Sequence, residues 1–133
     1  MKSREIKFRV WDNHFQKWIT QGVTISLDGT IKEVSLGEIM GEEHNCILQQ
    51  YTGLKDKHCK NICEGDFVKS LYRDATPDGR ISEEWSEPRE VIWSNMDIGF
   101  RLGKYHLSLS TNANNIEIVG NIFENPELLD YKK

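Results

Sequence analysis

No run of apolar residues in this sequence is longer than three, which excludes a membrane-spanning helix. Only three of the 133 residues are proline and ten are glycine, so neither a collagen-like repeat nor a low-complexity chain fits. The three cysteines are odd in number and do not suit a disulfide framework. Met1 to Trp11 alternates charged with apolar residues and contains no apolar signal core, so the expected compartment is the cytoplasm. A basic excess is also missing. Seventeen Lys and Arg against twenty-one Asp and Glu give a net charge of −4, which argues against a surface that coats nucleic acid.

Reactive patterns are equally scarce. There is no Gly-rich phosphate loop, no Gly-x-Ser-x-Gly elbow and no His-Glu-x-x-His pair. His14, His44, His58 and His106 are scattered, and the carboxylate neighbours Glu42-Glu43 and Glu83-Glu84 point apart along the chain. Zinc calls for paired soft ligands on tight turns. His44-x-Cys46 and Cys59-x-x-x-Cys63 miss the Cys-x-x-Cys spacing, so no metal site is expected. The expectation is a chain that is not an enzyme, without catalytic residues, cofactor or metal.

What is present is a soluble composition, 38% apolar and 29% charged, in a length that suits one domain. Ile6, Phe8 and Val10 alternate with Lys7 and Arg9, the period of a half-buried strand. Asp12-Asn13-His14 is turn chemistry, and Phe15 to Thr20 reads as the returning strand. Val23, Ile25 and Leu27 lead into Asp28-Gly29, a hairpin signal with Leu27 opposite Thr30 or Ile31. Ser35 to Glu43 carries a weak capping box worth one or two helical turns. Extended segments follow at Cys46–Thr52 and Phe67–Tyr72, with a charged turn at Gly53–Lys60 between them. Val91 and Trp93 precede a four-residue loop, Ser94 to Asp97, that sets Trp93 against Ile98. Tyr105, Leu107 and Leu109 alternate, as do Ile116, Ile118, Gly120 and Ile122, and Asn125-Pro126-Glu127 opens a helical turn. Eight or nine strands with two or three stubby helical turns are expected. The fold class is mainly β, a short-stranded pseudo-barrel or two folded sheets.

The charge is uneven. Asp74, Asp78, Glu83, Glu84, Glu87 and Glu90 face only Arg80 and Arg89 in the span 74–90, so 2 − 6 = −4 and the whole negative excess lies there. With Pro77, Gly79 and Pro88 the span reads as an exposed acidic loop with little regular structure, carrying an isolated Trp85. Glu83, Glu84 and Trp85 are candidate interaction residues. Met1 to Thr20 leans basic, and Arg4, Lys7 and Arg9 on the first strand are candidates for an exposed sheet edge that meets the acidic loop of a neighbouring copy. Gly65 and Asp66, in Glu64-Gly65-Asp66-Phe67-Val68, form a turn of the kind that opens the first strand of SH3-like barrels.

These stretches carry a resemblance. Arg4-Glu5-Ile6-Lys7-Phe8-Arg9-Val10-Trp11-Asp12, Gln49-Gln50-Tyr51-Thr52-Gly53-Leu54-Lys55-Asp56, Glu64-Gly65-Asp66-Phe67-Val68 and Ile116-Glu117-Ile118-Val119-Gly120-Asn121-Ile122-Phe123-Glu124-Asn125-Pro126-Glu127-Leu128-Leu129 resemble, in order, the YopX family of small phage and prophage proteins. The resemblance implies a mainly β pseudo-barrel, a tendency to ring-like homo-oligomers and a bacterial cytoplasmic setting, with no catalytic residues to carry over. It implies one domain over 1–133, with an N-terminal β portion at 1–50 and an SH3-like portion at 51–126. Family members usually have Asn-Gly where this chain has His58-Cys59, and an aromatic residue at Cys63.

Two functions follow as expectations. The first is a non-enzymatic oligomeric assembly or binding module, whose partner is a further copy or an unknown phage or host protein. The second is a nucleic-acid-associated accessory factor in phage replication or regulation, resting on the SH3-like turn, the basic first strand and Trp11 and Trp18 as exposed aromatics. For both Trp residues core packing is the competing reading.

Overall fold

The computed structural model describes residues 5–34, 45–102, 105–106 and 113–132, and twelve strands lie among them. The first sheet holds β1 (Phe8–Asp12), β2 (Lys17–Ile19), β5 (Cys46–Lys55) and β6 (Asn61–Cys63), in the order β2-β1-β5-β6. The second holds β7 (Asp66–Ala75), β8 (Ile81–Trp85), β9 (Arg89–Ser94), β10 (Gly99–Leu102), β11 (Tyr105–His106) and β12 (Ile116–Asn121), in the order β11-β10-β9-β7-β12 with β8 also on β7. A separate ribbon pairs β3 (Val23–Ile25) with β4 (Ile31–Val34). All described pairings are antiparallel. The fold is mainly β, two curled half-barrel sheets, with 3-10 turns at Ala113–Asn115 and Pro126–Lys132. No helix among the described residues is long and apolar enough to cross a membrane.

The core lies where the sheets curl over each other. Ile62, Val68, Val91, Phe100, Leu102 and Ile116 form one buried cluster, with Leu54 and Ile118 packed against it. A second cluster is aromatic. Trp11 stacks on Phe123 at 5.0 Å between centroids, and Trp18 meets both rings edge-on. Trp11 is buried and Trp18 half-buried, so these rings pack the body rather than offer open stacking faces.

Hairpin turns repeat one solution. In Ser26–Thr30, Asp56–Lys60 and Thr76–Arg80, the first residue's N–H donates to the last carbonyl, and the fourth residue's N–H donates back to the first. That geometry requires a left-handed fourth residue. Gly29, Cys59 and Gly79 fill the position, at φ 87°, 63° and 84°. Only Cys59 carries a Cβ there.

Several expectations are corrected. The acidic loop is not irregular: its residues 74–85 form the outer part of a hairpin, with Leu71 opposite Trp85 and Ala75 opposite Ile81, and Arg89 and Glu90 begin β9. Asp78-Gly79 closes that hairpin with the same turn as Asp28-Gly29. Leu27 is a fully exposed turn residue with neither expected partner, because Ile25 already pairs Ile31. The strand at Cys46 runs on to Lys55, so the charged turn is confined to residues 56–60. Trp93 sits opposite Phe100 rather than Ile98, since the four-residue loop spans Asn95 to Ile98, with Ile98 left-handed at φ 51°. Residue 50 falls inside β5, and both β5 and β6 belong to the first sheet. The capping box at Ser35–Glu43, Arg4, His44, and the alternation at Leu107 and Leu109 lie outside the described residues.

Candidate functional site

β1 lies between β2 and β5, but β2 reaches only Val10 to Asp12, so the expected edge is an interior strand over those three residues while Arg9 is paired with Gln49 of β5 alone. Burial explains the change: Val10, Trp11 and Asp12 are buried in succession, with the sheet partners on both sides. The Arg9 guanidinium reaches across the sheets. Nη1 meets Asp66 Oδ1 at 2.8 Å, Nε donates to Gln49 Oε1 at 2.9 Å, and Nη2 donates to the Glu64 carbonyl at 3.2 Å. Its plane sits 4.4 Å from the Trp18 ring centroid. Burial pushes the Asp66 carboxyl up, against the opposing pull of Arg9 and of the Cys63 N–H that donates to Oδ2.

Gly65 is where the two sheets join. Its N–H donates to the Val91 carbonyl and its carbonyl accepts from the Ile122 N–H, which locks the turn against β9 and against the segment after β12. At φ 85°, a Cβ there would run into the Gln49 carboxamide, with Cδ at 2.8 Å. Glu64 accepts from the Gln50 N–H through Oε1. Gly65 and Asp66 thus form the turn at the sheet junction, and Arg9 is bonded to it.

Above this junction lies an open groove of about 410 Å³, lined among others by Arg9, Trp18, Lys60, Asp66, Asn121 and Glu124. Two cations offset two carboxylates. The Trp18 indole N–H donates to Glu124 Oε1 at 2.6 Å and Asn121 Nδ2 donates to the same oxygen at 3.0 Å, which holds the Glu124 carboxyl below its usual range. Asp56, buried in the neighbouring turn, accepts from the N–H groups of His58, Lys60 and Ile118. Burial opposes its ionisation, but those three donors prevail and keep its pKa low.

The cysteines are dispersed: Cys46 lies opposite Asp12, Cys59 is exposed at a turn, and Cys63 is buried opposite Tyr51. Burial, with Asp66 and Glu64 nearby, pushes the Cys63 thiol up to about 11 despite Arg9, so it is protonated at neutral pH and a poor nucleophile. Among the described residues no group of three His, Cys, Asp or Glu is placed to hold a metal ion.

The exposed candidates gather elsewhere, on the arm made by Leu71–Ala75 and β8. Register and alternation give the arm two faces. Leu71, Arg73, Ala75, Ile81, Glu83 and Trp85 share one, while Tyr72, Asp74, Ser82 and Glu84 share the other. On the first, Arg73 Nε pairs with Glu83 Oε1 at 2.9 Å, and the Lys57 ammonium lies 5.1 Å from the Trp85 ring. Trp85 remains 38% exposed and Ile81 71% exposed. On the second, Arg89 lies over Tyr72. Among the described residues β8 pairs only with β7, so its outer edge is open. Lys7 is surface-paired with Glu5 at 2.6 Å, away from the arm's pairings, and Arg9 is far more enclosed than the arm residues. Leu71, Arg73 and Ile81 escaped the sequence reading. The turn Thr76-Pro77-Asp78-Gly79-Arg80 was the signal that places them on a hairpin.

The YopX protein family model matches residues 7–130. This chain belongs to the YopX family. The match covers both half-barrels, the Arg9–Asp66 junction and the arm. Among solved structures, the chain is similar to protein EF1440 from Enterococcus faecalis, with 24% identity and a TM-score of 0.59, covering 96% of this chain and 99% of that one. That likeness extends to the fold. No curated protein matches the chain.

Proposed function

We propose that this YopX-family chain is a non-enzymatic assembly module, encoded by phage-derived DNA, that acts in the host cytoplasm by associating with copies of itself. One observation carries the reading. The arm projects a two-stranded ribbon whose apolar residues Ile81 and Trp85 are exposed and whose outer strand edge is open. A lone two-stranded hairpin is marginal in water, and an open edge invites pairing. Packing a second copy against the arm supports the ribbon and covers its exposed apolar residues. The family supports a phage-type origin. The acidic character of the arm and the packed state of Trp11 and Trp18 favour a protein partner over a nucleic acid.

Light scattering at micromolar concentration, in low and in physiological salt, tests the proposal. A mass above that of one chain in both is expected, because apolar burial rather than charge dominates. A monomer in both overturns it.

A further inference from the structure

The arm's two faces differ in a way that selects how two copies meet. One is mixed polar and acidic, with Tyr72, Asp74, Ser82 and Glu84. The other is banded. Leu71 and Trp85 lie at its base, where the Lys57 side chain of the same copy rests near the Trp85 ring, with the Arg73–Glu83 ion pair at its middle and Ala75 with Ile81 at its tip. The ion pair is well exposed, with 59% and 53% of the two side chains accessible, so water covers an otherwise apolar strip.

Edge pairing of two β8 strands is a poor solution. The antiparallel register that uses all five residues sets Glu83 against Glu83 of the second copy, and Ser82 against Glu84. Like charges directly opposite oppose pairing. Stacking of the banded faces is better. Sheets pack about 10 Å apart, within reach of Arg and Glu side chains from both sides. A two-fold axis between the arms and parallel to their strands lays β7 of one over β8 of the other. Each residue then faces the copy of its own cross-strand partner: Arg73 over Glu83, Leu71 over Trp85, and small Ala75 over large Ile81. The charges alternate.

We infer that the Arg73–Glu83 face of the arm is a self-recognition surface, and that its occupant is the same face of a second copy of this chain. The inference rests on the self-association proposed above and names the surface responsible. The arm face is small beside the ~800 Å² that each partner of a stable interface buries. It sets pairing and register in a concentration-dependent assembly.

A mixing experiment tests this. Arg73→Glu and Glu83→Arg each place like charges on the strip, and ion pairs this exposed contribute little to folding, so both variants fold. Thermal melting checks that they do. Each alone is expected to self-associate about tenfold more weakly than the unaltered chain. Mixed in equal amounts, the two should regain the original mass in light scattering, because the paired arginines of one variant then face the paired glutamates of the other. Each chain's internal pair stays mismatched in the mixture, so recovery arises only between chains. If the unaltered chain is multimeric but the single variants keep its mass, or the mixture stays dissociated, the arm surface is wrong while self-association stands. If the unaltered chain is monomeric, both fall, and the arm belongs to a different partner.

Discussion

Arg9 Nη1 and Asp66 Oδ1 lie 2.8 Å apart, and that contact joins the first sheet to the second. Arg9 comes from β1, opposite Gln49 of β5, and Asp66 is the first residue of β7, so the pair fixes how the half-barrels meet. Trp18 covers the guanidinium and Glu124 holds Trp18, which extends the junction to the turn after β12.

Arg9→Ala leaves the Asp66 carboxylate buried without its cation. Removing one partner of a buried pair costs about 3 kcal/mol or more, although the partial exposure of Arg9 puts this at the lower end. Urea unfolding should show that loss, with an unchanged denaturant slope. A loss within experimental error would mean that the junction is held by packing alone.

Gly65→Ala adds a Cβ at a left-handed φ and against Gln49, whose carboxamide is already held by Arg9. Left-handed backbone costs about 1 kcal/mol for a residue with a Cβ, and displacing a held side chain adds to it. A destabilisation of about 2 kcal/mol or more is expected in thermal melts. A neutral result would show that the turn relaxes.

The opposite sign is expected at Cys59. It occupies the left-handed position that Gly29 and Gly79 fill in the two sister turns. Cys59→Gly should stabilise by about 0.5–1 kcal/mol, because the strain it relieves exceeds the chain entropy that glycine adds. Ile98, β-branched at φ 51° and exposed, should respond in the same direction to asparagine. Differential scanning calorimetry reads both. A lower melting temperature for Cys59→Gly would contradict the turn assignment.

Asp56 sets an acid limb. Its carboxyl titrates below the unfolded value of about 3.9 because three N–H groups bind the charged form. The stability it adds is therefore complete above that value and is lost as pH falls through the lower folded value. Asp56→Asn should destabilise at pH 7 by about 1–3 kcal/mol and narrow its deficit towards pH 3. A deficit independent of pH would remove the carboxylate from the account.

Alternation made several strands legible, because a half-buried strand must repeat every two residues, as β12 from Ile116 shows; at Ile6 to Val10 the same pattern misled, since Ile6 and Phe8 are exposed and β1, starting at Phe8, buries Val10, Trp11 and Asp12 in succession. The turn at Glu64-Gly65-Asp66 was legible from glycine and Asp chemistry. The placement of Arg9 was not. The strand looks basic on paper, but its one cation is paired with a carboxylate 57 residues away. The arm was hidden because its alternation is broken by charge: Arg73 and Glu83 sit on the face that otherwise carries Leu71, Ile81 and Trp85, and the pairing that reconciles them is visible only with the register. Asp78-Gly79 could have told it from a loop, by the same rule applied at Asp28-Gly29.

The central claim is that the arm, rather than the body, drives self-association. Sedimentation of Ile81→Asp against the unaltered chain tests it most directly. Ile81 is exposed, so its replacement should leave the melting temperature within a degree or two while the assembly mass drops. An unchanged mass for Ile81→Asp, with the unaltered chain multimeric, would contradict the claim.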